Sequence, residues 1–275
     1  MRIRAGYEIT YECPQPTPML LLLNVHSSRF QDLETPDIIQ TSPEIAVTQY
    51  HDVFGNLCSR IVCPAGRTVL SADFVVRDSG LPDPVSPEAI QHPVEELPND
   101  VIVFLLASRY CETEHLSNLA WKLFGDTPPG WQRLQAILDY AHSRITFGYE
   151  HARPTKTAFE AHEEGFGVCR DYAHLAITLC RCMNIPARYC TGYLGDIRWP
   201  VNGEMDFSAW VEVYLGDRWH VVDARHNTPR IGRILMARGR DATDAAIVTT
   251  FGVNTLAGFK VISDEISEPV AAPAG

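Results

Sequence analysis

Hydrophobic and polar positions alternate along the first third of the chain, which predicts β-strands there. Strand-like patterns cover residues 7–11, 19–25, 44–50, 57–63 and 68–77. The segment DVFGN at residues 52–56 predicts a hairpin turn, because glycine and asparagine tolerate positive φ angles. Strand patterns return in the last third, at residues 187–193, 209–215 and 219–223. Gly216 and Asp217 predict a tight hairpin between the last two of these strands.

The middle of the chain has the three-and-four spacing of amphipathic helices. Residues 100–111 are apolar enough to form a buried helix. The next pattern has one apolar face, formed by Trp131, Leu134, Leu138, Ala141 and Ile145. A further pattern has apolar or small residues at Cys169, Ala173, Ala176, Ile177, Cys180 and Met183. Pro186 ends this last helix, because proline has no N–H to donate and clashes with the preceding turn.

These elements predict an α+β protein of two domains. The segment LPDPVSP at residues 81–87 has the proline-rich, polar composition of a linker. We therefore predict a β-rich amino-terminal domain at residues 1–85, a linker at 86–99, a core at 100–262 and a loose tail at 263–275.

Composition and charge narrow the classes of function. The chain of 275 residues is 45% hydrophobic and has a formal net charge of −11, so it offers no basic surface for nucleic acid. No apolar run approaches the roughly 20 residues that span a bilayer, and the amino end lacks a secretory signal pattern. We expect a cytoplasmic protein with no membrane partner and no metal or organic cofactor. Its 8 cysteines are expected to be reduced, and the absence of a C-x-x-C pair argues against structural zinc.

Cys169 is the candidate for nucleophilic chemistry. The glycine-rich block GFGVCRD at residues 165–171 places this cysteine in the first turn of its helix. Unpaired N–H groups and the helix dipole favour a thiolate there, although a free cysteine is often just a small buried hydrophobe. A nucleophilic cysteine needs a base, and the base needs an orienting group. Asp223, at the end of the strand pattern, is a carboxylate that could orient an imidazole.

The chain resembles the transglutaminase-like cysteine peptidase superfamily. Three blocks carry the resemblance: GFGVCRD at 165–171, NIPARYCTGY at 184–193, and SAWVEVYLGDRW at 208–219 followed by VD at 222–223. By position, Cys169 matches the family nucleophile and Asp223 the orienting acid. The resemblance implies a papain-related core with the cysteine helix packed on an antiparallel sheet. It further implies attack on peptide or protein amide bonds through a cysteine thioester, and residues 52–56 are similar to the β-rich amino-terminal domain of bacterial members.

One position departs from the family pattern, because Ser208 stands where the family has its histidine. A serine hydroxyl cannot act as a general base. One hypothesis is that another histidine substitutes, with His226 beside the acid as the main candidate. The other candidates are His220, whose strand position faces away from Asp223, His174, His162 and His151. The thiolate could instead act without histidine, with Ser208 donating a hydrogen bond, or the domain could have lost turnover and serve as a binding or scaffold module.

Other charged residues near these motifs have simpler explanations. Asp171 can stabilise the amino end of the cysteine helix. Asp206 shares a strand face with Ser208, but we expect it to be a solvated loop carboxylate. A basic cluster follows the acid and consists of Arg225, Arg230, Arg233, Arg238 and Arg240. Charge balancing by salt bridges explains this cluster more simply than an anionic ligand does.

Overall fold

The fold is mixed, with α-helices in the middle of the chain and strands on both sides. A computed structural model describes residues 1–200 and 205–266. The strands are β1 (Arg2–Cys13), β2 (Thr17–Leu21), β3 (Gln40–Ser42), β4 (Thr48–His51), β5 (Leu57–Cys63), β6 (Gly66–Arg77), β7 (Thr146–Phe147), β8 (Phe166–Gly167), β9 (Ala187–Leu194), β10 (Ser208–Leu215), β11 (Arg218–Val222), β12 (Arg233–Gly239), β13 (Val248–Thr250) and β14 (Thr255–Glu265). The α-helices are α1 (Thr113–Phe124), α2 (Trp131–Arg144), α3 (Ala158–Glu164) and α4 (Cys169–Cys182). The α+β prediction is confirmed.

Three four-stranded sheets organise the molecule. Two sheets contain the early strands, in the orders β14-β1-β6-β3 and β13-β2-β5-β4. The central sheet has the order β11-β10-β9-β12, and all its neighbouring strands are antiparallel. Helix α4 packs on β9 and β10 of this sheet. The expected cysteine helix on an antiparallel sheet is therefore present.

Helix α4 is buried on nearly every side. Its residues from Asp171 to Cys182 are all buried, because α1, α2 and α3 pack against it from one side and the central sheet from the other. Burying each large apolar side chain contributes about 1.5–3 kcal/mol, and the buried polar residues are hydrogen-bonded: Arg181 donates to the Ala187 carbonyl at 2.9 Å and His174 accepts a backbone N–H at 3.1 Å. The site at the start of this helix consequently rests on a rigid support.

Both predicted hairpins are confirmed. Strands β4 and β5 pair antiparallel around the 52–56 turn, where Gly55 has a φ of 80°. Strands β10 and β11 pair around Gly216 and Asp217, whose φ angles are 53° and 65°. Two consecutive positive φ angles match the right-handed twist of the flanking strands. Helix α2 also buries the expected face, including Trp131 and Leu138.

The helix predicted at residues 100–111 is wrong, because only a short 3-10 turn forms there, at Ile102–Leu105. Backbone groups of this segment are satisfied by side chains from elsewhere. The Leu106 carbonyl accepts from the buried Arg181 guanidinium at 3.0 Å, and the Tyr110 N–H donates to a distant carboxylate at 2.8 Å. Since these partners replace i to i−4 hydrogen bonds, the segment does not need a helix to bury its apolar side chains.

The end of the chain differs from the prediction too. Strand β14 extends to Glu265 and pairs with β1 along its length. The predicted start of the loose tail, residue 263, therefore lies within this strand. Residues 267–275 of that tail lie outside the described residues. Strand β12 was not predicted at all, although it forms an edge of the central sheet. The division into domains at residues 85 and 99 stays a prediction.

Candidate active site

Cys169 is the first residue of α4, as predicted. Helix α3 ends at Gly165 in a left-handed conformation with a φ of 71°, and the chain then extends to Val168. The Asp171 carboxylate accepts the Val168 N–H at 2.8 Å, which fixes the start of the helix as expected. Gly167 is required here, because a Cβ atom would lie 2.6 Å from the Asp171 carboxylate.

The Cys169 sulfur faces a cavity of about 340 Å³, here called the thiol cavity, whose lining includes Tyr189, Asp206 and Ser208. Burial raises the pKa of the Cys169 thiol to about 11. The Arg225 charge and a hydrogen bond from the Ala209 backbone lower this pKa, but only in part. Burial therefore opposes the thiolate that the helix start favours, and that thiolate stays a prediction.

Asp223 and His226 form a bonded pair in the turn after β11. The His226 Nδ1 lies 2.8 Å from Asp223 Oδ2. The other carboxylate oxygen, Oδ1, accepts the backbone N–H groups of Arg225 and His226 at 2.9 and 3.0 Å. Because a carboxylate only accepts, Nδ1 carries the proton and Nε2 is left as the basic nitrogen. This geometry is that of a base held by its orienting acid.

A buried arginine fixes the acid from behind. Arg233 on β12 donates to Asp223 Oδ2 and to Asp83 Oδ2, each at 2.8 Å. Burial alone would raise the pKa of Asp223, but the charges of Arg233 and His226 hold it well below its usual range. Asp223 is therefore ionised at neutral pH. This arrangement was not predictable from local sequence patterns, since Asp83 lies 150 residues from Arg233.

Ser208 is the first residue of β10. It is buried, and its hydroxyl has no hydrogen-bond partner in the described parts of the chain. It lines the thiol cavity and also a second cavity of about 580 Å³, here called the histidine cavity, which includes His142, Arg225 and His226. Within residues 1–200 and 205–266, no hydrogen bond joins Cys169 to a histidine. Ser208 thus occupies the wall shared by the two halves of the site.

The other four candidate histidines have partners elsewhere. His174 accepts a backbone N–H at 3.1 Å, and burial lowers its pKa to about 3. His220 bonds a backbone carbonyl at 3.0 Å. His162 faces a tyrosine hydroxyl at 3.3 Å, and His151 packs on a phenylalanine ring. None of the four lines either cavity.

Two cavity residues were missed or misjudged from the sequence. His142 on α2 lines the histidine cavity, and its Nδ1 bonds the backbone carbonyls of Ala224 and Arg225 at 3.1 and 2.9 Å. Because His142 is distant in sequence from the other site residues, its place in the histidine cavity was not predicted. Asp206 is not a solvated loop residue: it is half-buried, lines both cavities, and burial raises its pKa.

Among the described residues, no group of three or more His, Cys, Asp or Glu side chains is placed to hold a metal ion. In the same ranges, no helix has both the length and the apolar character needed to cross a bilayer. All eight cysteines are free thiols.

Comparison with known proteins identifies similar chains. Residues 118–224 match the model of the transglutaminase-like superfamily, and this range includes Cys169, Ser208 and Asp223. The crystal structure of a provisionally assigned cysteine protease from Cytophaga hutchinsonii superposes with a TM-score of 0.84 and 28% identity, over 98% of this chain and 92% of that one. An uncharacterised protein of Mycobacterium leprae is 37% identical over 83 residues. That match spans 29% of this chain and only 30% of the relative's length.

Proposed function

We propose that this chain is a thiol enzyme that acts on amide bonds of peptides or proteins, and the match of residues 118–224 to the transglutaminase-like superfamily model supports this proposal. Cys169 is the nucleophile, His226 the general base and Asp223 the orienting acid. The observation that carries the proposal is the His226–Asp223 pair at 2.8 Å, whose histidine lines a cavity that shares Ser208 with the thiol cavity.

The first step is deprotonation of a thiol that is protonated at rest. Ser208 is the candidate for a proton relay because it lines both cavities; its hydroxyl has no hydrogen-bond partner among the described residues, so a side-chain rearrangement must first bring it to Cys169 and His226. The Cys169 thiol passes its proton to the Ser208 oxygen while the Ser208 hydroxyl proton passes to His226 Nε2. The ionised Asp223 stabilises the imidazolium that results.

The thiolate then attacks the amide carbonyl. The backbone N–H of Ala209 and the free N–H groups at the start of α4 are the donors available for the developing oxyanion. The tetrahedral intermediate collapses to a thioester, and the leaving amine takes its proton from His226. Water or a second amine resolves the thioester, which gives hydrolysis or acyl transfer respectively.

The Cys169→Ala variant tests this proposal. We expect it to lose amide cleavage of an unfolded protein substrate, while Cys182→Ala, which removes another thiol from the same helix, keeps it. Cleavage that persists in Cys169→Ala would exclude Cys169 as the nucleophile.

A second candidate function is a binding module without turnover. Two observations favour it: Ser208 replaces the family histidine, and burial raises the Cys169 pKa to about 11. It predicts no amide cleavage by the wild-type chain and no acyl adduct on Cys169 with activated esters. It also predicts that Ser208→His creates no activity.

A further inference from the structure

The basic cluster after Asp223 contains one arginine that differs from the rest. Four of its members have carboxylate partners at 2.8–3.5 Å: Arg230 with Asp196, Arg233 with Asp83 and Asp223, Arg238 with Glu212, and Arg240 with Asp244. Charge balancing therefore explains those four. Arg225 has no carboxylate within ion-pair distance in the part of the chain that the structure describes. Its charge needs another explanation.

Arg225 is held in a fixed position. Its N–H donates to Asp223 Oδ1 at 2.9 Å, and its carbonyl accepts from His142 Nδ1 at 2.9 Å. Its guanidinium carbon lies 3.8 Å from the centre of the Phe147 ring. Stacking on an aromatic ring restricts the guanidinium plane, and a side-chain hydrogen bond with Tyr149 uses part of the guanidinium while leaving further N–H groups to donate. The side chain is thus pre-organised for a planar anion.

The guanidinium lies in the site itself. Arg225 lines the histidine cavity of about 580 Å³, and its charge lowers the pKa of the Cys169 thiol. Ser208, which is 5% exposed and has a hydroxyl without a partner among the described residues, lines the same cavity. A buried hydroxyl and a fixed arginine therefore face a space large enough for a ligand group.

The other charged side chains that line the histidine cavity do not prevent an anion from binding to Arg225. Arg230 and Asp196 both line it and are paired at 3.2 Å. Asp206 is the remaining carboxylate among the described lining residues; it interacts electrostatically with Arg225 but forms no ion pair with it. Among the described residues that line the cavity, Arg225 is thus the cation without an ion-pair partner.

We propose that Arg225 binds a carboxylate of the substrate, with the Ser208 hydroxyl as a second donor. The substrates are then amides that carry a carboxylate close to the bond that Cys169 attacks, such as acidic peptides. The assignment of this substrate class rests on the proposed thiol chemistry. The binding of a carboxylate beside Cys169 does not depend on that chemistry. The pair Arg225 and carboxylate forms two parallel N–H···O bonds, which gives both affinity and orientation.

The first test compares two alkylating reagents of nearly equal size. Iodoacetate carries a carboxylate and iodoacetamide is neutral, and both form a thioether on Cys169 with release of iodide. We expect Arg225→Gln to lower the iodoacetate-to-iodoacetamide rate ratio at Cys169 roughly tenfold. Arg170→Gln is the matched control, because Arg170 adjoins Cys169 and bonds the Arg153 carbonyl instead. An unchanged ratio in Arg225→Gln, or an equal fall in Arg170→Gln, overturns the proposal.

The second test does not need a reactive thiol. In Cys169→Ala, calorimetry measures binding of N-acetylglutamate and of its neutral analogue N-acetylglutamine. We expect the carboxylate ligand to bind more tightly, and Arg225→Gln to weaken it roughly tenfold while leaving the neutral ligand unaffected. Equal affinities for the two ligands contradict the proposal. Since Cys169→Ala has no nucleophile, carboxylate binding there together with absent amide cleavage by wild type would overturn the thiol chemistry alone.

Discussion

Replacing Ser208 with histidine is expected to activate the Cys169 thiol. Ser208 is buried in the wall that the thiol and histidine cavities share, and the histidine cavity of about 580 Å³ offers space for an imidazole. An imidazole at this position can take the thiol proton directly. The resulting thiolate–imidazolium pair lowers the thiol pKa, as it does in other cysteine sites paired with histidine.

The size of the effect follows from the thiolate fraction. A thiol with a pKa of about 11 is ionised in roughly 3 molecules per 10,000 at about pH 7.5. Lowering the pKa only to about 8.5, the value of a free cysteine, raises that fraction about 300-fold. The less basic thiolate is also about 10- to 18-fold less nucleophilic. The net expectation is an increase of about 20-fold in the alkylation rate of Cys169.

Iodoacetamide labelling followed by peptide mass spectrometry measures this rate, with the buried cysteines as internal controls. Ser208→Asn is the matched control, because it adds a polar side chain without a base at neutral pH. Near-ultraviolet circular dichroism checks that each variant is folded. A Ser208→His rate within about threefold of wild type, or an equal rise in Ser208→Asn, would refute the placement of Ser208 beside the thiol.

Three further predictions concern the acid, the base and the charge beside the thiol. His226→Gln is expected to lower kcat for amide cleavage about 100-fold or more, and an unchanged kcat excludes His226 as the base. Arg233→Met leaves Asp223 buried without its cation, so urea unfolding should show a loss of about 3–5 kcal/mol, and a loss below about 1 kcal/mol contradicts the pairing. Because the folded pKa of Asp223 is depressed, its stabilisation in wild type is present above about pH 4 and is lost as the pH falls toward that lower value. Asp206→Asn removes a charge that raises the Cys169 pKa, so its alkylation profile should move to lower pH, and a move to higher pH contradicts this electrostatic role.

Sequence patterns correctly predicted the elements whose formation depends on residues that are close together in the sequence. The start of α4 at Cys169 depends on the Gly165 turn and the Asp171 carboxylate, all within seven residues of sequence. The closeness of His226 to Asp223 was also predictable, because three residues separate them in a turn.

Features that depend on distant partners were not predicted. Strand β12 was not predicted because it contains the buried Arg233 and the half-buried Arg238, which are tolerated there because Asp83 and Glu212 neutralise them. The effect of burial on the Cys169 thiol was missed for the same kind of reason. The helix terminus is visible in the sequence, but the desolvation that raises the thiol pKa arises from packing against β10.

Acylation of Cys169 by p-nitrophenyl acetate tests the central claim most directly. The ester supplies an activated acyl group, so the experiment needs no knowledge of the natural substrate. We predict an acetyl group on the peptide that contains Cys169, removable by neutral hydroxylamine as a thioester and lost in Cys169→Ala. An acetylation pattern that is the same in wild type and Cys169→Ala would contradict a nucleophilic role for Cys169.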